Sequence, residues 1–299
     1  MKHLLATIAL ALAATASLGA QTFRPTAEGG TAIALRSHDN DAAQQRQNIE
    51  RYIRLVEVAD SAVATNNFDR AQKAYRQAMD LIPDNPNNLL LLSNLGMVQH
   101  YAGDNEAALL TLTDAHNIGP KSVTILSNRA TVLRAMRRYA DAAADYSRIL
   151  DLEPDNHSAL FNRGYLRSLA NDTIGAEADL LRYRKLSADS ANSAMALAVL
   201  YSNADKPAKA LPYYTELIAA APSAEAYAAR AMCHLALQQL AEAADDIASG
   251  MQLDPDNGEL YYCRAYLNVL RYNNDDARAD ADKAAALGVD PARIALLFD

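Results

Sequence analysis

The sequence predicts an all-α fold, an α-solenoid of seven helix-turn-helix repeats. Three observations predict it: small residues recur about every 34 positions, a second series of alanines follows the first by 12 positions, and prolines close most repeats. The chain has 299 residues, of which 51% are apolar and 21% charged, and this composition supports a packed core. Only 21 residues are Gly or Pro (11 and 10), too few for a loop-dominated protein.

The first 20 residues predict a secretory signal peptide. Lys2 supplies the positive start, an apolar run covers Leu4 to Ala14, and small residues follow, so that cleavage after Ala16 or after Ala20 remains open. The apolar run is shorter than the about 20 residues that cross a bilayer, and no later segment approaches that length. We therefore expect an exported product, periplasmic or secreted, with no membrane span in the mature chain. Residues 21–44 have no sustained apolar period and predict a flexible leader.

Two series of small residues define the repeats. Within each repeat, apolar residues recur at three- and four-residue spacing, which predicts two amphipathic helices. A small residue in each helix allows their backbones to approach closely. The first series is Ala59, Gly96, Ala130, Gly164, Ala198, Ala231 and Ala265, and the second is Ala71, Ala108, Ala142, Ala176, Ala210, Ala243 and Ala277.

Prolines mark the end of the second helix in five repeats, because proline cannot continue a helix interior. They are Pro83, Pro120, Pro154, Pro222 and Pro255, with Ala188 and Val289 at the same phase in the fourth and seventh repeats. Asp-Asn pairs follow three of these prolines and predict turns and helix caps rather than calcium ligands, since no EF-hand spacing is present.

The pattern of Leu95-Gly96, Ala142, Tyr146 and Pro154 resembles the tetratricopeptide repeat. The resemblance implies a right-handed superhelix whose first helices line a concave groove that holds a peptide or protein partner. It places the seven repeats in residues 45–289. The stretch from Gln44 to Tyr52 and the segment 290–299 are then expected to cap the two ends of the solenoid.

The sequence gives no support for an enzyme, a cofactor or a bound metal. No metal-ligand pairing, nucleophile elbow, phosphate loop or dinucleotide fingerprint occurs, and His234 is expected to be packed rather than catalytic. Asp275 and Asp276 are expected to begin a helix rather than to bind a cation. A net charge of −8 makes nucleic acid a poor partner.

Charge recurs within four repeats. An arginine precedes the small residue of the first helix, and an aspartate follows that arginine by sixteen positions; the other three repeats carry neither. We predict that each arginine reaches the aspartate of its own repeat in a partly desolvated pair. The pairs are Arg129–Asp145, Arg163–Asp179, Arg230–Asp246 and Arg264–Asp280.

The sequence leaves two local structural features undecided. Cys233 and Cys263 lie on consecutive first helices, and either a disulfide or two packed thiols is compatible with an exported protein. Pro207 suits a helix start, and Pro212 predicts either a kink or a late helix start.

The function that we expect is an exported, non-catalytic scaffold or adaptor that binds a peptide or protein partner in the groove. A receptor for a small molecule or glycan, or an accessory subunit of an envelope enzyme complex, is the alternative. Aromatic and Met side chains in the first-helix rows are the candidate contacts, with Tyr262 and Tyr266 as the expected hot spot whose replacement should leave folding nearly intact. The set is Met97, Tyr101, Phe161, Tyr165, Met195, Met232, Tyr262 and Tyr266.

Overall fold

The structure is a computed structural model that describes residues 39–187 and 190–298. Within these residues it contains fifteen α-helices and no β-strand. The chain divides into two compact bodies, an N-terminal body (residues 39–166) and a C-terminal body (residues 167–187 and 190–298). The predicted signal peptide lies outside the described residues, as do residues 21–38 of the predicted leader.

The helices of the N-terminal body form three complete hairpins and begin a fourth. The last helix continues across the division between the bodies. The helices of this body are α1 (Asp39–Ala64), α2 (Phe68–Leu81), α3 (Asn88–Tyr101), α4 (Asn105–Ile118), α5 (Val123–Ala135), α6 (Tyr139–Leu152) and α7 (His157–Leu169).

The C-terminal body continues the same alternation and ends in a short extra helix. Its helices are α8 (Thr173–Leu186), α9 (Ser190–Asn203), α10 (Pro207–Ala220), α11 (Ala224–Ala236), α12 (Leu240–Leu253), α13 (Gly258–Leu270), α14 (Asn274–Ala286) and α15 (Pro291–Ala295). The prediction of an all-α solenoid of helix-turn-helix repeats is confirmed.

Packing follows the order of the chain. In six repeats the odd-numbered first helix packs on the even-numbered second helix that follows it, and in both bodies a second helix packs on the next first helix. Neighbouring first helices also touch, as α3 and α5 do in the N-terminal body and α11 and α13 in the C-terminal body.

The small residues of both series are all buried, and twelve of the fourteen are alanines with relative exposure of 0%. Gly96 shows why size matters at these positions, because a Cβ atom built on it would lie 2.5 Å from Leu112 Cγ of α4. Leu112 is itself fully buried, so it has little room to move. The close approach of the paired helices therefore depends on these residues.

Short polar side chains begin many of the helices. Asn67, Asp104 and Ser122 each accept a hydrogen bond from a backbone N–H in the first turn of the following helix, at 3.3, 3.0 and 3.4 Å. The Asp-Asn pairs after the prolines act as turns and caps as predicted: Asn156 and Asn257 accept from the N–H groups of Ala159 and Leu260, at 2.9 and 3.2 Å.

The turn inside every hairpin carries one residue with left-handed backbone, seven positions after the first small residue. In one repeat it is Gly103, with φ of 90°. The other six are Asn66, Arg137, Asn171, Asp205, Gln238 and Tyr272, with φ between 55° and 62°.

One boundary prediction needs correction. Helix α1 begins at Asp39, so the last six residues of the predicted leader are helical. The stretch from Gln44 to Tyr52 is helical as expected and lies within α1, and its role as a cap stays a prediction. Residues 44–51 of α1 are mostly exposed, and the buried face of this helix begins at Tyr52, whose hydroxyl donates to Asn88 Oδ1 at 3.1 Å.

Pro207 occupies the first turn of α10 as predicted, but the late helix start is wrong. The helix runs from Pro207 to Ala220 and includes Pro212. Its first bonds are made before that proline, since the N–H of Ala210 donates to Lys206 O at 3.2 Å. The kink at Pro212 stays a prediction.

Candidate functional site

The structure divides the eight predicted contact residues by their exposure. Tyr101 is 45% exposed, and Phe161, Tyr165, Met195 and Tyr266 are partly exposed. The remaining three are buried: Met97, Met232 and Tyr262. The contact of the five accessible residues with a partner stays a prediction.

The assignment of Met97 and Met232 to an accessible surface is wrong. Met97 packs with Ala108, Leu112 and Val132, and Met232 lies in the apolar core of the C-terminal body. Their position on the helix points toward the neighbouring first helix, and the close spacing of first helices leaves no gap there.

Tyr262 is also a core residue, with relative exposure of 0%, so it cannot be a surface hot spot. The guanidinium of Arg293 in α15 lies 4.2 Å from its ring centroid, and Arg293 forms two 2.6 Å bonds to the carboxylate of Glu259. Burial raises the pKa of Tyr262 to about 12. The C-terminal segment therefore covers Tyr262 and caps this end of the core, to which Ile294 also contributes.

Tyr101 belongs to a small aromatic group at the end of α3. Its ring centroid lies 6.4 Å from that of Phe68 and 5.5 Å from that of His100. The His100 ring is held by a 2.6 Å hydrogen bond between Nδ1 and Asn105 Oδ1. Partial burial raises the pKa of Tyr101, so its hydroxyl is neutral at physiological pH. This group presents apolar ring surface together with hydroxyl and imidazole groups that can hydrogen-bond.

Arg134, in the last turn of α5, is a cation on the same body. Among the described residues it has no ion-pair partner, and its positive charge acts on the buried hydroxyl of Tyr146. The charged carboxylate of Asp60 on α1, unlike Arg134, has a side-chain partner: it accepts a 2.6 Å hydrogen bond from the hydroxyl of Tyr75.

A row of asparagines recurs in the sequence with the period of 34, but the pattern alone did not predict a structural role for it. Asn94, Asn128 and Asn162 each lie two positions before the small residue of a first helix. Asn128 Nδ2 donates to Ser93 Oγ at 3.0 Å and so joins α5 to α3. Asn162 Nδ2 donates instead to Ser158 O of its own helix at 2.9 Å, so the bond between first helices is made by Asn128.

Three of the four predicted Arg–Asp pairs are confirmed, each with two hydrogen bonds. The Nε and Nη2 atoms of Arg129 lie 2.8 and 2.6 Å from the Asp145 carboxylate, those of Arg230 lie 2.9 and 2.6 Å from Asp246, and those of Arg264 lie 2.9 and 2.5 Å from Asp280. The most buried pair is the first, with side-chain exposures of 10% and 2%. The expected partial desolvation is thus present.

The fourth pair, Arg163 and Asp179, spans the division between the two bodies and stays a prediction. Within the C-terminal body, Asp179 accepts a 2.6 Å bond from Arg167 Nη1. Arg167 lies four residues after Arg163, where the third repeat has Leu133, and this second arginine was not anticipated.

The paired arginines also contact the preceding repeat. Arg230 Nη1 donates to Thr215 Oγ1 of α10 at 3.0 Å, and Arg264 Nη1 lies 3.3 Å from Met251 Sδ of α12. Each of these side chains therefore ties together three helices.

The remaining chemistry-bearing residues are structural. His234 is packed, as expected, with Nδ1 2.7 Å from Gln239 Oε1. Cys233 and Cys263 are two free, buried thiols, and burial raises the pKa of Cys233 to about 12. Asp275 and Asp276 lie in the first turn of α14, as predicted.

No group of three or more His, Cys, Asp or Glu side chains in the described part of the chain could hold a metal ion. No helix there has the length and apolar character that a membrane span requires.

Helical hairpins that repeat at a fixed spacing and share a row of buried small residues define a helical-repeat protein. Family models of the tetratricopeptide repeat match residues 53–121, 127–191 and 195–258, which is more than half of the chain. The chain belongs to the tetratricopeptide repeat family. Proteins of this family typically bind other proteins and are typically non-catalytic.

Known proteins of the family resemble the chain in sequence and in structure. A tetratricopeptide repeat protein from Parabacteroides merdae is 26% identical, with a TM-score of 0.61 over 83% of this chain and 97% of that one. YrrB, a tetratricopeptide repeat protein with an unusual peptide-binding site, is 19% identical, with a TM-score of 0.51 over 62% of this chain and 96% of its own.

A curated relative is the DnaJ homolog subfamily C member 7 homolog of Schizosaccharomyces pombe. It is 27% identical over 207 residues, which cover 65% of this chain. The match spans only 37% of that protein's length.

Proposed function

We propose that this protein is an exported, non-catalytic scaffold that binds a peptide or protein segment along the first helices of its N-terminal body. Its family supports a role in protein–protein contact, and YrrB is an example of a peptide-binding protein with this fold. The positive start and short apolar run of residues 1–20 support export.

The observation that carries the proposal is the exposed aromatic group at the end of α3. Tyr101 is 45% exposed although it packs against Phe68, and the partly exposed Phe161 and Tyr165 follow on α7 of the same body. Aromatic side chains provide large contact area at low entropic cost and are enriched at binding hot spots.

Selection from a phage-displayed library of random 12-residue peptides on the purified chain tests the binding. We expect a consensus to be enriched, and we expect Tyr101→Ala to weaken the synthetic consensus peptide about tenfold or more. Leu110→Ala is the matched control, because Leu110 is 70% exposed but lies on the second helix α4. No enrichment, or equal loss in both variants, would contradict the proposal.

Export is tested separately in the native host. N-terminal sequencing of the protein from the envelope or medium should find a chain that begins at Ser17 or Gln21. An intact chain that starts at Met1 and stays in the cytoplasm would contradict export.

A further inference from the structure

We infer that the segment bound by the N-terminal body is acidic, with Arg134 and Arg137 as the cations that receive its carboxylates. This inference rests on the proposed function and specifies the chemistry of the partner.

Three of the four first helices of this body carry no negative charge, whereas α1 contains five acidic residues. Helices α3, α5 and α7 contain no Asp or Glu in 14, 13 and 13 residues. The chain has 36 acidic residues among 299, so about five would be expected in helices of this total length. The acidic residues of the second and third repeats lie instead on the second helices and turns, as Glu106, Asp114 and Asp141 do.

Arg134 and Arg137 differ from the other arginines nearby in having no side-chain partner in the described part of the chain. Arg129 on the same helix is bound to Asp145, and Arg138 Nε donates to Asp141 at 2.8 Å. Neither Arg134 nor Arg137 has a hydrogen bond or ion pair from its side chain to any described residue. The two are adjacent in the turn, where the N–H of Arg137 donates to Arg134 O at 3.0 Å.

Arg137 is held in a conformation that disfavours it. Its φ is 59°, in the left-handed region, at the turn position where the preceding repeat has Gly103. A side chain beyond glycine is strained there, as it is at Gln238 and Tyr272, and the turn leaves the Arg137 side chain exposed.

Carboxylates fit this pair better than a nucleic acid does. A guanidinium binds a carboxylate through two parallel hydrogen bonds. A phosphate backbone needs many cations at once, whereas this turn offers two on a chain with a net charge of −8. The occupant is therefore a peptide segment with one or a few acidic side chains beside an apolar anchor.

The peptide selection described above separates the two proposals. We expect enriched 12-residue peptides to contain Asp or Glu beside an aromatic or aliphatic residue. Enrichment of neutral or basic peptides would overturn this inference and leave the proposed function standing, and no enrichment would contradict both. Tighter binding of a 30-nucleotide poly-dT strand than of every selected peptide would also overturn it.

Substitution of the two arginines tests whether they contact the consensus peptide. Arg134→Gln with Arg137→Gln should weaken the consensus peptide by at least about tenfold and reduce the salt dependence of binding. Arg76→Gln is the control, since it removes the same charge from an exposed position on α2. Equal effects of the double variant and the control would overturn the inference.

A third variant distinguishes a binding role from a structural one. Arg137→Gly removes the side chain and relieves the left-handed strain, so the melting temperature should rise while the affinity for the peptide falls. A rise in stability with unchanged affinity would show that Arg137 is not a contact.

Discussion

Arg129 and Asp145 illustrate why charge occurs at both positions of a repeat or at neither. Each is buried, and their two hydrogen bonds replace the water that each lost on folding. A buried charge without its partner is costly, whereas two apolar side chains in the same space are not. Repeats with Val58 and Ala74, or Leu95 and Thr111, satisfy the same requirement without charge.

Removal of one partner of this pair should therefore lower the stability of the protein strongly. Asp145→Ala should lower the free energy of unfolding by about 3–5 kcal/mol, because it leaves Arg129 buried and unpaired. Asp141→Ala, also on α6, should cost about 0–1 kcal/mol, since its pair with Arg138 is half exposed. Urea unfolding of both variants measures the difference.

A double variant tests the reason for this difference. Arg129→Leu with Asp145→Ala should recover most of the lost stability, because no unpaired charge remains. A double variant as unstable as Asp145→Ala alone would contradict the explanation.

Tyr262 offers a second prediction for a single residue. Tyr262→Ala should lower the free energy of unfolding by about 3–5 kcal/mol, because its ring fills the core and supports Arg293. Tyr266→Ala should cost about 1 kcal/mol, as a partly exposed position does. Thermal unfolding checks both, and equal, small losses would show that Tyr262 is not part of the core.

The left-handed conformation of the hairpin turns was not predicted from the sequence. Asn66, Gly103, Asn171 and Asp205 tolerate left-handed backbone and recur at the repeat spacing, so a signal was present. Arg137, Gln238 and Tyr272 hid it, because their residue types do not predict such a conformation. In these repeats the packing of the two helices imposes the turn on an unfavourable residue.

Substitution by glycine should accordingly relieve the backbone strain in these turns. Gln238→Gly should raise the free energy of unfolding by about 0.5–1 kcal/mol, the relief of strain less the entropy of glycine. Gly103→Ala should lower it by about 1 kcal/mol through strain alone, since a Cβ there meets no atom within 4 Å. Chemical denaturation measures both, and changes of the same sign would refute the assignment of strain.

Across the whole chain, the repeat spacing was sufficient to predict the fold class, the buried small residues and three Arg–Asp pairs. It did not predict how deeply each side chain is buried: Met97 and Tyr101 stand four apart on one face of α3, yet their exposures are 2% and 45%. A helical row shows which neighbour a side chain faces, but the spacing of that neighbour depends on side chains about 34 residues away. The cover over Tyr262 likewise depends on Arg293, 34 residues from Glu259.

Buried phenols and thiols make the whole molecule sensitive to alkali. Burial raises the pKa of Tyr52, Tyr146 and Cys233 to about 12, above the ordinary values of 10.0 and 9.0. The folded chain keeps these protons while the unfolded chain releases them, so stability is complete below about pH 9 and declines as the pH rises toward 12. Urea unfolding between pH 7 and pH 11 should show this decline, and a constant free energy would contradict it.

The most direct test of the account is hydrogen–deuterium exchange of the full chain saturated with the consensus peptide. Binding along the first helices of the N-terminal body should slow exchange in α3, α5 and the part of α7 up to residue 166, and leave α4 and α6 unchanged. Slowed exchange confined to the second helices, or to the C-terminal body, would contradict the proposed binding surface.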